Sequence, residues 1–136
     1  MKASYKVVGG SAWVVLFNTE DGTASNVDWE PEFTGEFQKE RLAFSPAMFR
    51  APRGNTTTRL NLGFTLQYGS LALAFASIPA MEALNALKFH LKVEITGAAA
   101  QYYTNACVDS YRAKQHGVSV DHALRIEADD VSLTAV

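Results

Sequence analysis

The chain has 136 residues, of which 14 are acidic and 12 basic, for a formal charge of −2. Its 48 % apolar and 19 % charged content excludes wholesale disorder, and the slightly acidic balance excludes a free-standing nucleic-acid binder or a basic membrane-surface protein. One cysteine excludes an internal disulfide framework, so a single domain over residues 1–136 must be held by packing or assembly.

At the N-terminus, Val7–Val8 and Ala12–Phe17 are short apolar stretches separated by Gly9 and Gly10. That interruption leaves no sustained secretory core, and the expectation is a protein kept in a soluble, reducing compartment. Ala12–Phe17 reads as a well-buried strand, and Gly9-Gly10-Ser11 as a tight turn before it rather than a phosphate loop. Residues 18–37 carry Gly22, Pro31, Gly35 and six acids, among them Asp28, Glu30 and Glu32, and read as an irregular, loop-rich segment or long hairpin tip. Leu42 and Phe44 suggest a short strand. Residues 45–58, with Pro46, Pro52, Gly54, Arg50 and Arg53, read as a second, basic loop. Opposite charges in two separate loops suit head-to-tail contact between identical subunits, and equally an ordinary surface. Asn55-Thr56-Thr57 matches a glycosylation sequon, which has no weight without a secretory signal.

The strongest signal follows. Leu60, Leu62, Phe64, Leu66 and Tyr68 alternate with Arg59, Asn61, Thr65 and Gln67, the pattern of a half-buried strand. Ser70 then offers an N-cap to a helix near Leu71–Ser77, with a break expected at Pro79 and further helical turns over Ala80–Ala86. The whole stretch Leu71–Leu87 is too short and too polar to cross a bilayer. Alternation resumes in Phe89–Ile95, in Tyr102–Val108, and in Val118, Val120, Leu124 and Ile126, where His122 is the one polar member of the apolar face. Five or six half-buried strands with one helix predict a mainly β, α+β architecture. The expected form is an antiparallel β-sandwich or half-open barrel with the helix packed on one side.

Chemical motifs are sparse. His90, His116 and His122 match no metal-ligand spacing, and nothing in the sequence pairs Cys107 with a base. An enzyme of unfamiliar type would have to draw on those four residues. Asp129-Asp130 reads as a turn, and Pro31 between Glu30 and Glu32 argues against a carboxylate pair. Tyr102, Tyr103 and Tyr111 with Arg112 and Lys114 have the composition of a base-stacking strip, but their Ala, Asp and Ser flanks favour core and interface roles. No catalytic, cofactor-binding or metal-binding residue is assigned. An alternative is a β-module binding a small ligand or carbohydrate, with Trp13, Phe64, Phe89, Tyr102 and Tyr103 around a cavity.

Pro52-Arg53-Gly54-Asn55, the alternating Leu60–Tyr68, the alanine-rich Ser70–Leu87, the pair Phe89–Ile95 and Tyr102–Val108, and Gly117-Val118-Ser119 before a last strand form a sequence of elements. Over residues 52–127 that order resembles small structural proteins of tailed-phage and prophage tail modules. The resemblance implies a tail-tube-like fold and a non-enzymatic virion protein without cofactor or small-molecule substrate. It implies a ring of copies around a DNA channel, usually hexameric or trimeric with duplicated domains, hexameric first, at the level of tube, tube initiator, distal tail or tail completion. Its partners would be itself and adjacent tail proteins, with double-stranded DNA only as passing cargo. Assembly would take place in the bacterial host cytoplasm. A mildly acidic subunit suits such a lumen, which must not hold the DNA.

Overall fold

Alternation of apolar and polar side chains decides the central strands, and the irregular stretches arrange themselves against them. The computed structural model describes residues 1–41 and 48–136, and the side chains of these except 35–41 and 48–56. The elements run β1 (Lys2–Val7), β2 (Val14–Asn18), β3 (Ala24–Arg41), β4 (Met48–Gln67), α1 (Leu71–Glu82), a 3-10 turn (Ala83–Ala86), β5 (Phe89–Glu94), β6 (Gln101–His116), β7 (Ser119–Ala128) and β8 (Asp130–Ser132). They form one antiparallel sheet in the order β2-β1-β5-β6-β7-β4-β3, with β8 also pairing to β6. The sheet is not closed, and the architecture is the expected mainly antiparallel α+β one.

Strand β6 is the corner of the sheet. Its first residues pair with β5 (Val93 opposite Gln101, Phe89 opposite Ala106), and its later ones pair with β7 from Cys107 to His116. The sheet bends there, so that its two ends face each other across one core. Phe17 of β2 stacks on Phe64 of β4 with ring centroids 4.6 Å apart. Leu60, Leu62, Phe89, Leu91, Tyr103, Leu124 and Ile126 are buried around them, each large aliphatic or aromatic side chain contributing about 1.5–3 kcal/mol by leaving water. At one side, Ala74 of α1 and Leu84 of the 3-10 turn are buried, and Met81 packs on the same core.

Two local predictions hold in detail. The Ser70 hydroxyl accepts the Leu73 amide at 3.2 Å, which caps α1. Gly9, at φ +86°, closes a turn in which the Gly10 amide donates to the Val7 carbonyl at 2.8 Å.

Four expectations need correction or fall outside. Residues 24–41 are not loop but strand, and so are 48–58: the acidic and basic segments are the two arms of one long hairpin, with Glu32 opposite Arg59 and Lys39 opposite Arg50. Pro31 is tolerated because β3 has one strand neighbour, so alternate amides face outward and a proline at such a position removes no ladder bond. Pro79 lies inside α1 rather than ending it. The carbonyl it frees belongs to Phe75, an exposed residue that water can reach. Ala12–Phe17 is only half as buried as expected, since β2 is a terminal strand with Val14 and Val15 exposed and Leu16 and Phe17 buried. The strand expected around Leu42 and Phe44 lies outside the described residues.

Beyond Phe33 and before Thr58 the hairpin has no third strand in register among the described residues, because β7 pairs with β4 only from Thr58 onward. Eight residues of β3 (34–41) therefore form, with 48–57, a two-stranded arm roughly 25 Å long.

Candidate functional site

The three histidines go to three different places. His122 is 1 % exposed, on the inner face of β7, held between two tyrosines. Its Nδ1 lies 2.6 Å from the Tyr111 hydroxyl and its Nε2 lies 3.0 Å from the Tyr68 hydroxyl. Burial drops its pKa to about 4, so at neutral pH the ring has one N–H and one lone pair to share between the two hydroxyls. The shorter contact fits an O–H donor and the longer an N–H donor, which assigns Tyr111 as donor to Nδ1 and Nε2–H as donor to Tyr68. Burial pushes the Tyr111 hydroxyl up to about 12, which keeps it a donor. His90 Nδ1 accepts the Asn105 amide at 3.2 Å, next to the left-handed turn of the β6 backbone at Asn105 (φ 50°). His116 is exposed, with Nε2 3.3 Å from the Asp121 carboxylate. Among the described residues no three His, Cys, Asp or Glu side chains gather where they could hold a metal ion.

The other candidates are also dispersed. Cys107 is exposed, opposite Glu127 on the outer side of the sheet. Asp129 accepts from Asn105 Nδ2 at 3.0 Å and Asp130 accepts from the Val131 amide at 2.8 Å, so the pair shapes the step from β7 to β8. Tyr103 and Tyr111 belong to the core, whereas Arg112 faces outward beside Ala123, so no base-stacking strip forms. Phe64, Phe89 and Tyr103 are core residues, while Trp13 packs outside on Tyr102 under the ammonium groups of Lys6 and Lys92. The five aromatics are not brought around one space.

Two surfaces stand out instead. The first is α1. From Leu60 to Met81 the sequence has no charged residue, and Leu71, Leu73 and Phe75 on the helix are 58–72 % exposed. Between the helix and the sheet edge lies an apolar groove of about 260 Å³, lined by Val14, Val15, Leu66, Ala80 and Met81 among others. A helix apolar around its whole circumference cannot bury itself on one sheet, which leaves its far side bare.

The second is the outer face of β3, β4, β7 and β6. Strand register sets Asp28, Gly63, Ala123 and Arg112 in one row across the four strands, and Glu30, Asn61, Arg125 and Ser110 in the next. A bulge between Ser25 and Asp28, with Asn26 at φ 50°, precedes Asp28, whose side chain lies beside Gly63. Gly63 and Ala123 thus floor a groove of about 740 Å³ with acids on one flank and guanidinium groups on the other. On the same face the Arg59 and Glu127 side chains pair at 2.9 Å, and Asp121 accepts the Thr65 hydroxyl at 2.6 Å. That hydrogen bond, with His116 and Lys114 nearby, holds the Asp121 carboxyl below its usual range. The uncharged stretch through α1 is visible in the sequence, but the groove beside it and the rows of the outer face depend on which elements become neighbours.

No protein-family model matches the chain, and no curated protein matches it.

Proposed function

We propose that the chain is a non-enzymatic structural subunit of a bacteriophage tail, assembling with copies of itself into a ring around the DNA channel and contacting adjacent tail proteins. The observation that carries this reading is helix α1, uncharged from Leu71 to Met81 and apolar around its circumference there, with Leu71, Leu73 and Phe75 in water beside an apolar groove. An isolated domain gains nothing from such a surface, and a subunit does. The sheet edges β2 and β3, unpaired on their outer side among the described residues, and the projecting arm of the β3–β4 hairpin give further places to add a neighbour. The order of elements from Asn55 onward supplies the likeness to tail proteins.

Light scattering of the purified protein, followed by negative-stain imaging of any large species, tests the reading. Rings with a central hole are expected. Phe75→Asp should reduce them to monomer while leaving stability within about 0.5 kcal/mol, because the residue touches little of its own chain. A wild-type protein that remains monomeric at high concentration and binds no tail protein overturns the proposal.

A further inference from the structure

The groove floored by Gly63 and Ala123 separates charges that their own chain leaves unused. Asp28, Glu30, Arg112 and Arg125 make no ion pair or side-chain hydrogen bond among the described residues, although Arg59–Glu127 on the same face does. Three strand spacings, roughly 14 Å, divide Asp28 from Arg112 in their row, far beyond ion-pair reach. At that distance in water their attraction is only about 0.3 kcal/mol. The face is therefore polarised from one edge to the other, acidic along β3 with Asp28, Glu30 and Glu32, and basic along β6 with Arg112 and Lys114.

Such a face is complementary to itself. A two-fold axis parallel to the strands, along the seam between β4 and β7, lays the row Asp28, Gly63, Ala123, Arg112 against the same row in reverse order. Each Asp28 then meets an Arg112 of the other copy, and each Gly63 meets an Ala123. In the row of Arg59 and Glu127, each of these also meets its opposite. The small residues at the seam let the two sheets come together at the usual spacing of about 10 Å. A two-fold axis across the strands would instead set acid on acid, so the charge layout selects one orientation.

We propose that this outer face is a two-fold contact between two copies of the chain. Four strands by four outward rows make a patch of roughly 500 Å² on each copy, about 1,000 Å² in all, at the small end of specific interfaces. Association of that size leans on its charges and is accordingly sensitive to salt. The pairing does not rest on the ring reading, which concerns α1 and the sheet edges.

Charge reversal tests it on the full chain, by sedimentation equilibrium at about 0.05 M and about 0.5 M salt. Wild type should pair at low salt and weaken by about tenfold at high salt. Asp28→Lys with Glu30→Lys makes the β3 flank of the groove basic, and Arg112→Glu with Arg125→Glu makes the opposite flank acidic. Each variant should be unable to pair with itself, and an equimolar mixture should restore a complex containing one of each. Should a double reversal fail to fold, Asp28→Asn and Arg112→Gln, each weakening low-salt pairing a few-fold, decide the matter. The proposal is overturned if wild type never pairs, if the variants pair as wild type does, or if folded variants do not combine when mixed. Rings indifferent to these charges would remove this contact and leave the tail reading standing; charge-dependent pairs without rings would do the opposite.

Discussion

Strand β4 and helix α1 are neighbours in the chain and both rich in apolar side chains, yet they meet opposite fates. Over residues 58–67 of β4 the large apolar residues fall on one face, and Leu60, Leu62 and Phe64 are buried to within 2 %. In α1 they go all the way round, and only Ala74 is buried while Phe75 is 72 % exposed. The difference lies in periodicity rather than in hydrophobicity. An alternating strand asks for one covering layer, which the folded chain supplies, whereas a helix without a polar face asks for two.

The largest expected effect is at the buried end of this contrast. Phe64→Ala should cost about 3–5 kcal/mol in denaturant unfolding, since it opens a cavity against Phe17 and His122. A loss no larger than that of an exposed helix substitution would abolish the distinction between the two regions.

Acid sharpens it next. His122 has a pKa of about 4 in the folded protein against about 6.5 in an unfolded chain, so between those values the unfolded chain takes up a proton that the folded one refuses. Its contribution is complete above about pH 6.5 and is lost as the pH falls toward about 4, by on the order of 3 kcal/mol. Unfolding curves across this range should be flatter for His122→Phe than for wild type. Superimposable profiles would mean that the imidazole is not held neutral between Tyr68 and Tyr111. The smallest effect belongs to the helix. Ser70→Ala should cost about 1 kcal/mol by removing the cap on the Leu73 amide, measurable as a lower unfolding midpoint. A null result would show that α1 is held by its partners more than by its own ends.

Much of the fold was legible because period-two alternation is a local property: residues 60–67, 89–94 and 119–126 are strands for the reason their pattern suggests. Strand β3 was hidden because Pro31 and a run of acids are loop-like in composition, and only an edge position with one neighbour makes them compatible with a ladder. His122 was visible as a polar residue in an apolar phase, but its partners Tyr68 and Tyr111 come from two other segments. The polarised groove was beyond reach altogether. Asp28, Gly63, Ala123 and Arg112 are scattered over the chain, and only the strand order puts them in one row.

Strand β1 has a consequence for how the protein is made. It pairs early with β2, but its other neighbour is β5, where Lys2 lies opposite Glu94. During synthesis β1 must wait for most of the chain before its second edge is covered, and refolding from denaturant must close the same long loop. Folding rates fall as such distant pairings dominate, which puts this domain among the millisecond-to-second folders. For that interval the chain carries an uncovered strand edge together with the bare apolar helix, the combination most exposed to aggregation. Synthesis at low temperature, or beside a chaperone that shields both features, should therefore raise the yield of native protein.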